Sequence, residues 1–398
     1  MSAKAAVAVP SPRLASIDAY RGFVMLLMLG EVLHLCDVSE ALPNSGFWAL
    51  LCHHQSHVEW VGCALHDLIQ PSFSFLVGVA LPFSIASRLA RGASFGAMFG
   101  HALWRAFALA ALGIWLRSIG KSQTYFTFED TLTQIGLGYA FLFLIGLRSV
   151  KFQWITLGVI LSAYWLAFAL YPVPGPDFDW SKAGVAADWS HHAKGFAAHW
   201  NKNTNLAWAF DNWFLNLFPR EQPFLFNGGG YATLSFIPTL GTMILGLIAG
   251  GWLKAGLKPE NRLSRFLIAG VIGLAAGLLL NATGLCPNVK KIWTPAWVLF
   301  SGGWCFLLLA FFYALIDARN TKVWAIPLVV IGANSIFAYC TEWLFFGFIH
   351  KSLNTHLGED FFRLFGDPYR GLFQGACVLL IVWLMLFWLH RKKVFIRI

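Results

Sequence analysis

Residues 66–87, HDLIQPSFSFLVGVALPFSIAS, decide the fold class of this chain. After Asp67 the stretch carries no charged side chain until Arg88. A helix of this length extends over about 30 Å at about 1.5 Å per residue, which matches the hydrocarbon core of a bilayer. The stretch therefore predicts a transmembrane helix that begins with a polar turn.

Nine further apolar runs of similar length indicate the same class. The 398 residues are 58% hydrophobic and 12% charged, whereas soluble domains are about 25% charged, and the mean hydropathy is +0.62. The sequence predicts an all-α polytopic membrane bundle, a single domain over residues 1–398 with about ten transmembrane helices. The predicted spans are 20–37, 66–87, 101–119, 131–147, 153–171, 231–253, 265–283, 295–316, 325–349 and 370–390.

The basic residues predict the orientation. With a cytoplasmic N-terminus, eighteen of the 29 Lys and Arg fall in inside segments, and the outer stretch 37–65 has none. Short cytoplasmic loops are enriched in these residues, and an even number of spans then places both termini in the cytoplasm. Topology thus explains the net charge of +10, and no nucleic-acid partner is expected.

The longest predicted loop, residues 172–230, lies on the outer face. Loops of this size are usually functional or disordered, but the aromatic residues of this one favour a folded cap. Its stretch HWNKNTNLAWAFDNWF (199–214) is interpreted as including an interfacial helix. The loop is a candidate lid over a substrate site.

Polar side chains cluster near the outer ends of the predicted spans. A charged group inside a span costs several kcal/mol unless it faces partners or water. Glu31 and His34 are three residues apart and share a helix face. We interpret the cluster as one outward-opening cavity, with interhelical hydrogen bonding for packing as the alternative. Its members are Glu31, His34, Asp67, Gln70, Asn334 and Glu342. All of these except Asp67 are expected to bind substrate, as is Gln134 in the first turn of the fourth span.

The stretch CHHQSHVEWVGCALHDLIQP (52–71) adds four histidines beside this cavity. It lacks zinc signatures such as HExxH, so no metal is expected. An imidazole at the cavity mouth suits a general base whose tautomer is fixed by a carboxylate. The residues alone do not choose among the four histidines. Cys52 and Cys63 are packing residues, or a disulfide if the loop faces an oxidising compartment.

One motif in this stretch resembles the heparan-α-glucosaminide N-acetyltransferase family. It reads His57-x-x-Trp60-x-Gly62, followed by Asp67-Leu68-Ile69-x-Pro71-x-Phe73-x-Phe75-x-x-Gly78. Further stretches are similar to family blocks in the same order, so the resemblance extends over nearly the whole chain. These are RLASIDAYRG (13–22), TLTQIGLGY (131–139), WTPAWVLFSGGW (293–304) and GANSIFAY (332–339).

The resemblance implies a transmembrane acyltransferase that takes an acetyl group from cytoplasmic acetyl-CoA and transfers it to an acceptor on the outer face. It implies His57 as the active-site histidine and Asp67 as the residue that orients His57 or the acceptor. Trp60 joins the expected substrate-binding residues through the motif. Arg21, in the first matching block, is expected to contact the CoA phosphates because guanidinium groups suit phosphate.

The chain also departs from the family pattern. Gln134 stands where the family commonly has Arg, and Glu31 and His34 stand where many members have a neutral polar pair. The family's outer N-terminal extension is missing, which predicts a bacterial inner-membrane protein. Its expected acceptor is then a cell-envelope amino sugar or glycan hydroxyl. The expected partners are acetyl-CoA, this acceptor, the lipid bilayer and a second copy of the chain in a homodimer.

Two other functions fit the same residues. A proton-coupled transporter would use Glu31, Asp67 and Glu342 as a relay, although no repeated half with matched broken helices supports it. A membrane sensor would use the histidine-rich loop as a pH switch.

Overall fold

The computed structural model describes residues 14–396, and no strand occurs among them. The predicted all-α membrane class is confirmed. Seven helices are long and apolar enough to cross a membrane, or up to nine if each of two bent pairs counts as one span. Each predicted span overlaps an apolar helix or bent pair, but residues 131–146 form a shorter one. Arg13 and both chain ends, predicted to be cytoplasmic, lie outside the described residues.

Fifteen α-helices are formed by the described residues. They are α1 (Ala15–Leu29), α2 (Leu35–Ala41), α3 (Gly46–Gln55), α4 (Ile69–Ala90), α5 (Phe95–Arg117), α6 (Thr131–Gly146), α7 (Val150–Leu170), α8 (Leu206–Phe214), α9 (Phe236–Lys254), α10 (Pro259–Ala282), α11 (Pro295–Phe312), α12 (Ile326–Ala333), α13 (Ser335–Leu344), α14 (Phe346–Leu357) and α15 (Arg370–Arg391).

Two predicted spans are interrupted. The run predicted over 20–37 leaves the α-helical path after Leu29, forms a 3₁₀ turn over Gly30–Leu33 and bends by 43° into α2. His34, at the bend, has a left-handed backbone with φ of 49°, which a non-glycine residue seldom adopts. The run predicted over 325–349 bends by 65° between α12 and α13. Each bend interrupts the regular helical pairing of backbone N–H and C=O groups, which a lipid-exposed helix would maintain.

The chain divides into two compact units. The first unit is Ser74–Ala310, and the second comprises Ala15–Phe73 and the residues from Phe311 onward. The predicted single domain over residues 1–398 remains a prediction.

In the first unit, α9 is the most buried helix, and α6 packs between it and α5. Other helices expose large apolar side chains instead: Trp104 and Phe107 on α5, Val159 on α7 and Ile272 on α10 are each at least 60% exposed. A water-soluble protein would rarely leave such faces uncovered. These faces are suited to contact with lipid, as expected for an integral membrane protein.

The predicted loop 172–230 is a folded part of the first unit. It contains helix α8 and three 3₁₀ segments, Trp180–Ala183, Gly195–Trp200 and Leu215–Leu217. Asn203 donates to the carbonyls of Ala183 and Asn227, which ties distant parts of the loop together. The predicted helix within 199–214 is confirmed, whereas the role of a lid remains a prediction.

In the second unit, α1 packs closely along α12. A methyl group added to Gly22 would collide with the carbonyl of Leu328. Gly375 of α15 approaches Val32 of the 3₁₀ turn equally closely. Small residues let membrane helices approach backbone to backbone, so Gly375 fixes the position of the turn that carries Glu31.

A disulfide joins Cys36 of α2 to Cys52 of α3. The pairing of Cys52 with Cys63 considered from the sequence is therefore wrong. The periodicity of the sequence did not reveal that α2 and α3 pack against each other across the short turn that joins them.

Candidate active site

The loop after α3 is folded around a buried tryptophan. Trp60 is 1% exposed, and Gly62 has φ of 125°, a conformation open mainly to glycine. The loop closes on Asp67, whose Oδ2 accepts the backbone N–H groups of Ala64 at 2.9 Å and Val58 at 3.3 Å. Trp60 thus contributes to the shape of the loop and does not line the cleft described below.

His57 lies against the other oxygen of this carboxylate. Nδ1 of His57 is 2.8 Å from Oδ1 of Asp67. Because a carboxylate accepts, a neutral imidazole here carries its proton on Nδ1 and its lone pair on Nε2. The Asp67 side chain is 1% exposed and that of His57 is 40% exposed. The arrangement is a fixed, accessible imidazole base with a buried orienting carboxylate.

A second histidine–carboxylate pair lies beside the first. Nε2 of His66 is 2.6 Å from Oε1 of Glu31, and the rings of His66 and His57 are 4.7 Å apart between centroids. His66 is adjacent to Asp67 in a 3₁₀ turn, Leu65–Leu68. Successive side chains in such a turn point about 120° apart, so the neighbours reach different partners.

Both pairs border one open cleft of ≈ 270 Å³. Gln55 supports its wall, since its amide accepts the N–H of Leu35 at 2.8 Å and donates to the carbonyl of Gly30 at 2.5 Å. Nδ1 of His34 lies 3.6 Å from the carboxylate of Asp37. The wall therefore combines carboxylates and imidazoles, with no Lys or Arg among its lining residues, which are Glu31, His34, Cys36, Asp37, Gln55, His57 and His66.

The structure brings together Glu31, His34, His57 and Asp67 among the residues expected from the sequence. It adds His66, Gln55, Cys36 and Asp37. His66 could have been expected from the sequence, because it directly precedes Asp67 and because the charge of Glu31 within a span needs a partner. Gln55 and Cys36 could not have been, because their roles depend on how α3 packs against α2 and the preceding 3₁₀ turn.

Three other expected residues of the second unit lie outside the cleft lining. Gln70 is half-buried in the first turn of α4, and Glu342 is half-buried on α13. Asn334 holds the segment after α15 through the carbonyl of Val394 and the N–H of Ile396. Gly371, at the other end of α15, lies against His34. The helix between them extends about 30 Å, so Asn334 is far from the cleft.

The remaining expected residues are engaged elsewhere. Arg21 contacts Asp18 at 3.3 Å and lies ten residues before Glu31, about 15 Å along a helical path. Gln134 belongs to the first unit, where its amide donates to the carbonyls of Phe128 at 2.6 Å and Thr233 at 3.2 Å. Gln134 therefore fastens the loop before α6 to the segment before α9.

We also searched the described residues for a set of side chains that could bind a metal ion. Among residues 14–396, no group of three or more His, Cys, Asp or Glu is placed to hold a metal ion. The four acidic and imidazole groups of the two pairs are each directed at one another.

The fold and the site define an integral membrane protein with a carboxylate-supported histidine in an open cleft. No family model matches the chain. The chain is distantly related to heparan-alpha-glucosaminide N-acetyltransferase of Homo sapiens, with 23% identity over 430 aligned positions, covering 97% of this chain and 60% of that protein. The Mus musculus protein of the same name is 23% identical over 366 positions, covering 82% and 53%. The chain thus spans between half and two thirds of these relatives.

Proposed function

We propose that the chain is an integral-membrane acyltransferase that moves an acetyl group from acetyl-CoA to an amino or hydroxyl group of a sugar or glycan. The His57–Asp67 pair carries the proposal, because it places an oriented imidazole at an open cleft. The name of the two relatives supports acetyl as the transferred group and nitrogen as the acceptor atom.

In the proposed reaction, Nε2 of His57 removes a proton from the acceptor as its nitrogen or oxygen attacks the thioester carbonyl carbon. The carbon–sulfur bond breaks, and the CoA thiolate takes the proton from the imidazolium. Asp67 holds the ring in the required tautomer and stabilises its positive charge. In a two-step route the same nitrogen would carry the acetyl group, and rapid-quench labelling of His57 distinguishes the routes.

We place the cleft on the outer face and acetyl-CoA on the cytoplasmic face. The Cys36–Cys52 disulfide beside the cleft supports this, since disulfides persist in oxidising compartments. The lack of Lys and Arg in residues 37–65 supports it as well. Arg21, about 15 Å from Glu31 along a helical path, is the residue proposed for the CoA phosphates. The homodimer and the bacterial inner membrane remain predictions from the sequence.

The test is acetyl transfer from labelled acetyl-CoA by the protein reconstituted in vesicles, against a panel of amino sugars and glycans. We expect His57→Ala to abolish transfer. His53→Ala is the matched control, because His53 is exposed near the end of α3 and does not line the cleft. If the wild type transfers no acetyl group and a proton flux survives in His57→Ala, the result would instead support the transporter.

A further inference from the structure

We propose that the Glu31–His66 pair binds the acceptor as an ammonium ion and takes its first proton. This inference rests on the proposed function and adds a second pair of residues to the proposed reaction. It assigns separate tasks to the two histidine–carboxylate pairs.

Acylation of an ammonium ion removes two protons from its nitrogen. An amine that is protonated at the pH of the reaction is an ammonium ion, which has no lone pair for attack. One proton must leave before the attack and a second after it. His57 can hold only one of them at a time.

The geometry supplies a second acceptor at the right place. Glu31 lies in the cleft wall with its side chain 48% exposed, whereas the His66 side chain is 5% exposed behind it. The exposed carboxylate suits contact with a cation, and the buried imidazole, 2.6 Å from Oε1, holds that carboxylate in place. The two rings are 4.7 Å apart, so one acceptor nitrogen in the cleft can reach both pairs.

The charge of the cleft agrees with a cationic acceptor. Its lining contains the carboxylates of Glu31 and Asp37 and no Lys or Arg. Sulfated or phosphorylated groups bind where Arg and Lys converge, so a strongly anionic sugar lacks a counter-charge among the lining residues. The expected acceptor is an amino sugar or another amine that carries no sulfate or phosphate group near its ammonium group.

The balanced reaction is R–NH₃⁺ + CH₃CO–S–CoA → R–NH–COCH₃ + CoA–SH + H⁺. The first proton leaves the ammonium for the Glu31–His66 pair, and the nitrogen lone pair then attacks the thioester carbon. The second proton passes from nitrogen to Nε2 of His57 and on to the CoA thiolate as the carbon–sulfur bond breaks. The proton on the Glu31–His66 pair leaves to water through the exposed carboxylate.

The experiment compares the amino sugar that the wild type acetylates best with hydroxylamine, a small nucleophile that is neutral at pH 7. For Glu31→Gln we expect kcat/KM for the amino sugar to fall about 100-fold, within the range of general-base catalysis. Transfer to hydroxylamine should change less than about threefold, because its nitrogen needs only the proton transfer to His57. Glu31→Asp should restore part of the amino-sugar rate.

Two further variants make the result specific. Glu40→Gln changes an exposed carboxylate of α2 that does not line the cleft and should leave both acceptors unaffected. His66→Gln should raise KM for the amino sugar more than it lowers kcat, because His66 is a positioning residue for the carboxylate. Equal losses on both acceptors, no loss in Glu31→Gln, or a wild type that acetylates only hydroxyl groups or no neutral amine would overturn the proposal. A wild type without any acetyl transfer would refute the proposed function itself.

Discussion

Nδ1 of His57 lies 2.8 Å from Oδ1 of Asp67, ten residues further along the chain. The other oxygen of Asp67 is held by two backbone N–H groups of the loop between them. The carboxylate therefore orders the loop and orients the imidazole in one arrangement. A change at Asp67 is expected to affect chemistry through the position of His57.

Asp67→Asn should lower kcat by about 10²- to 10⁴-fold, because an amide can stabilise the wrong tautomer of His57. KM for acetyl-CoA should stay close to that of the wild type. Steady-state kinetics in vesicles measures both, and circular dichroism checks that the helices remain. Glu40→Gln, which changes an exposed carboxylate of α2 outside the cleft lining, is the control for general loss of charge. An unchanged kcat in Asp67→Asn would remove Asp67 from the mechanism.

Loss of the disulfide should destabilise the cleft. Closing a loop of about 15 residues is worth about 3 kcal/mol in the chain-entropy description, and Cys36 and Cys52 are 16 residues apart. Cys36→Ser should therefore lower the thermal midpoint and reduce acetyl transfer, and a reductant should do the same to the wild type. Cys63→Ser should have neither effect. Peptide mapping without reduction identifies the linked pair directly, and a Cys52–Cys63 link would contradict the structure.

The folded loop 172–230 should be less stable at neutral than at mildly acidic pH because of Asp211. Burial is the main cause that raises the pKa of this α8 carboxyl to about 7, and burial likewise raises the pKa of nearby Glu129. The folded state then binds more protons than the unfolded state between about pH 4 and pH 7, so stability falls as the pH rises through this window.

Asp211→Asn should flatten this pH dependence and raise the thermal midpoint at pH 8, because the amide oxygen can still accept the N–H of Thr233. Asp188→Asn changes an exposed acid of the same loop and should leave the profile unchanged. The measurement is the midpoint of thermal unfolding from pH 5 to pH 8. A profile in Asp211→Asn that parallels the wild type would contradict the assignment.

Gly375→Val should displace the 3₁₀ turn that carries Glu31. The added side chain would overlap the carbonyl of Val32, and overpacking of this kind costs about 1–3 kcal/mol. We expect a lower thermal midpoint and a reduced acetyl-transfer rate. Gly347→Ala, where an added methyl group meets open space, should preserve activity. Normal activity in Gly375→Val would show that the turn tolerates movement of α15.

The sequence predicted the helices well because a bilayer imposes a length and an apolar composition on each span. The motif around His57 and Asp67 was also detectable, since both residues lie in one loop beside a span. The bend at His34 was not, because it depends on a left-handed backbone at a non-glycine residue. The contact of Glu31 with His66 joins residues 35 positions apart in the sequence. The disulfide of Cys36 depends on the packing of α2 against α3, and the sequence pattern revealed neither contact.

Asn334 and Gln134 are the reverse case, in which residues expected to bind substrate already have backbone partners. Both are polar residues in apolar surroundings, and the sequence predicted substrate contacts for them. In the structure their amides pair with backbone groups at Val394 and Ile396 and at Phe128 and Thr233. A buried amide that satisfies backbone groups and one that binds a ligand have the same sequence pattern, so only the fold distinguishes them.

Every side chain that lines the cleft, and Asp67 behind it, comes from residues 31–67. Under the proposed function, the residues that select the acceptor therefore lie in one short contiguous segment, ahead of most of the membrane helices. Residues 31–67 can therefore be exchanged between homologues as one continuous segment. Exchanging it would let acceptor chemistry be rewritten in a single step while the remaining helices keep their own sequence.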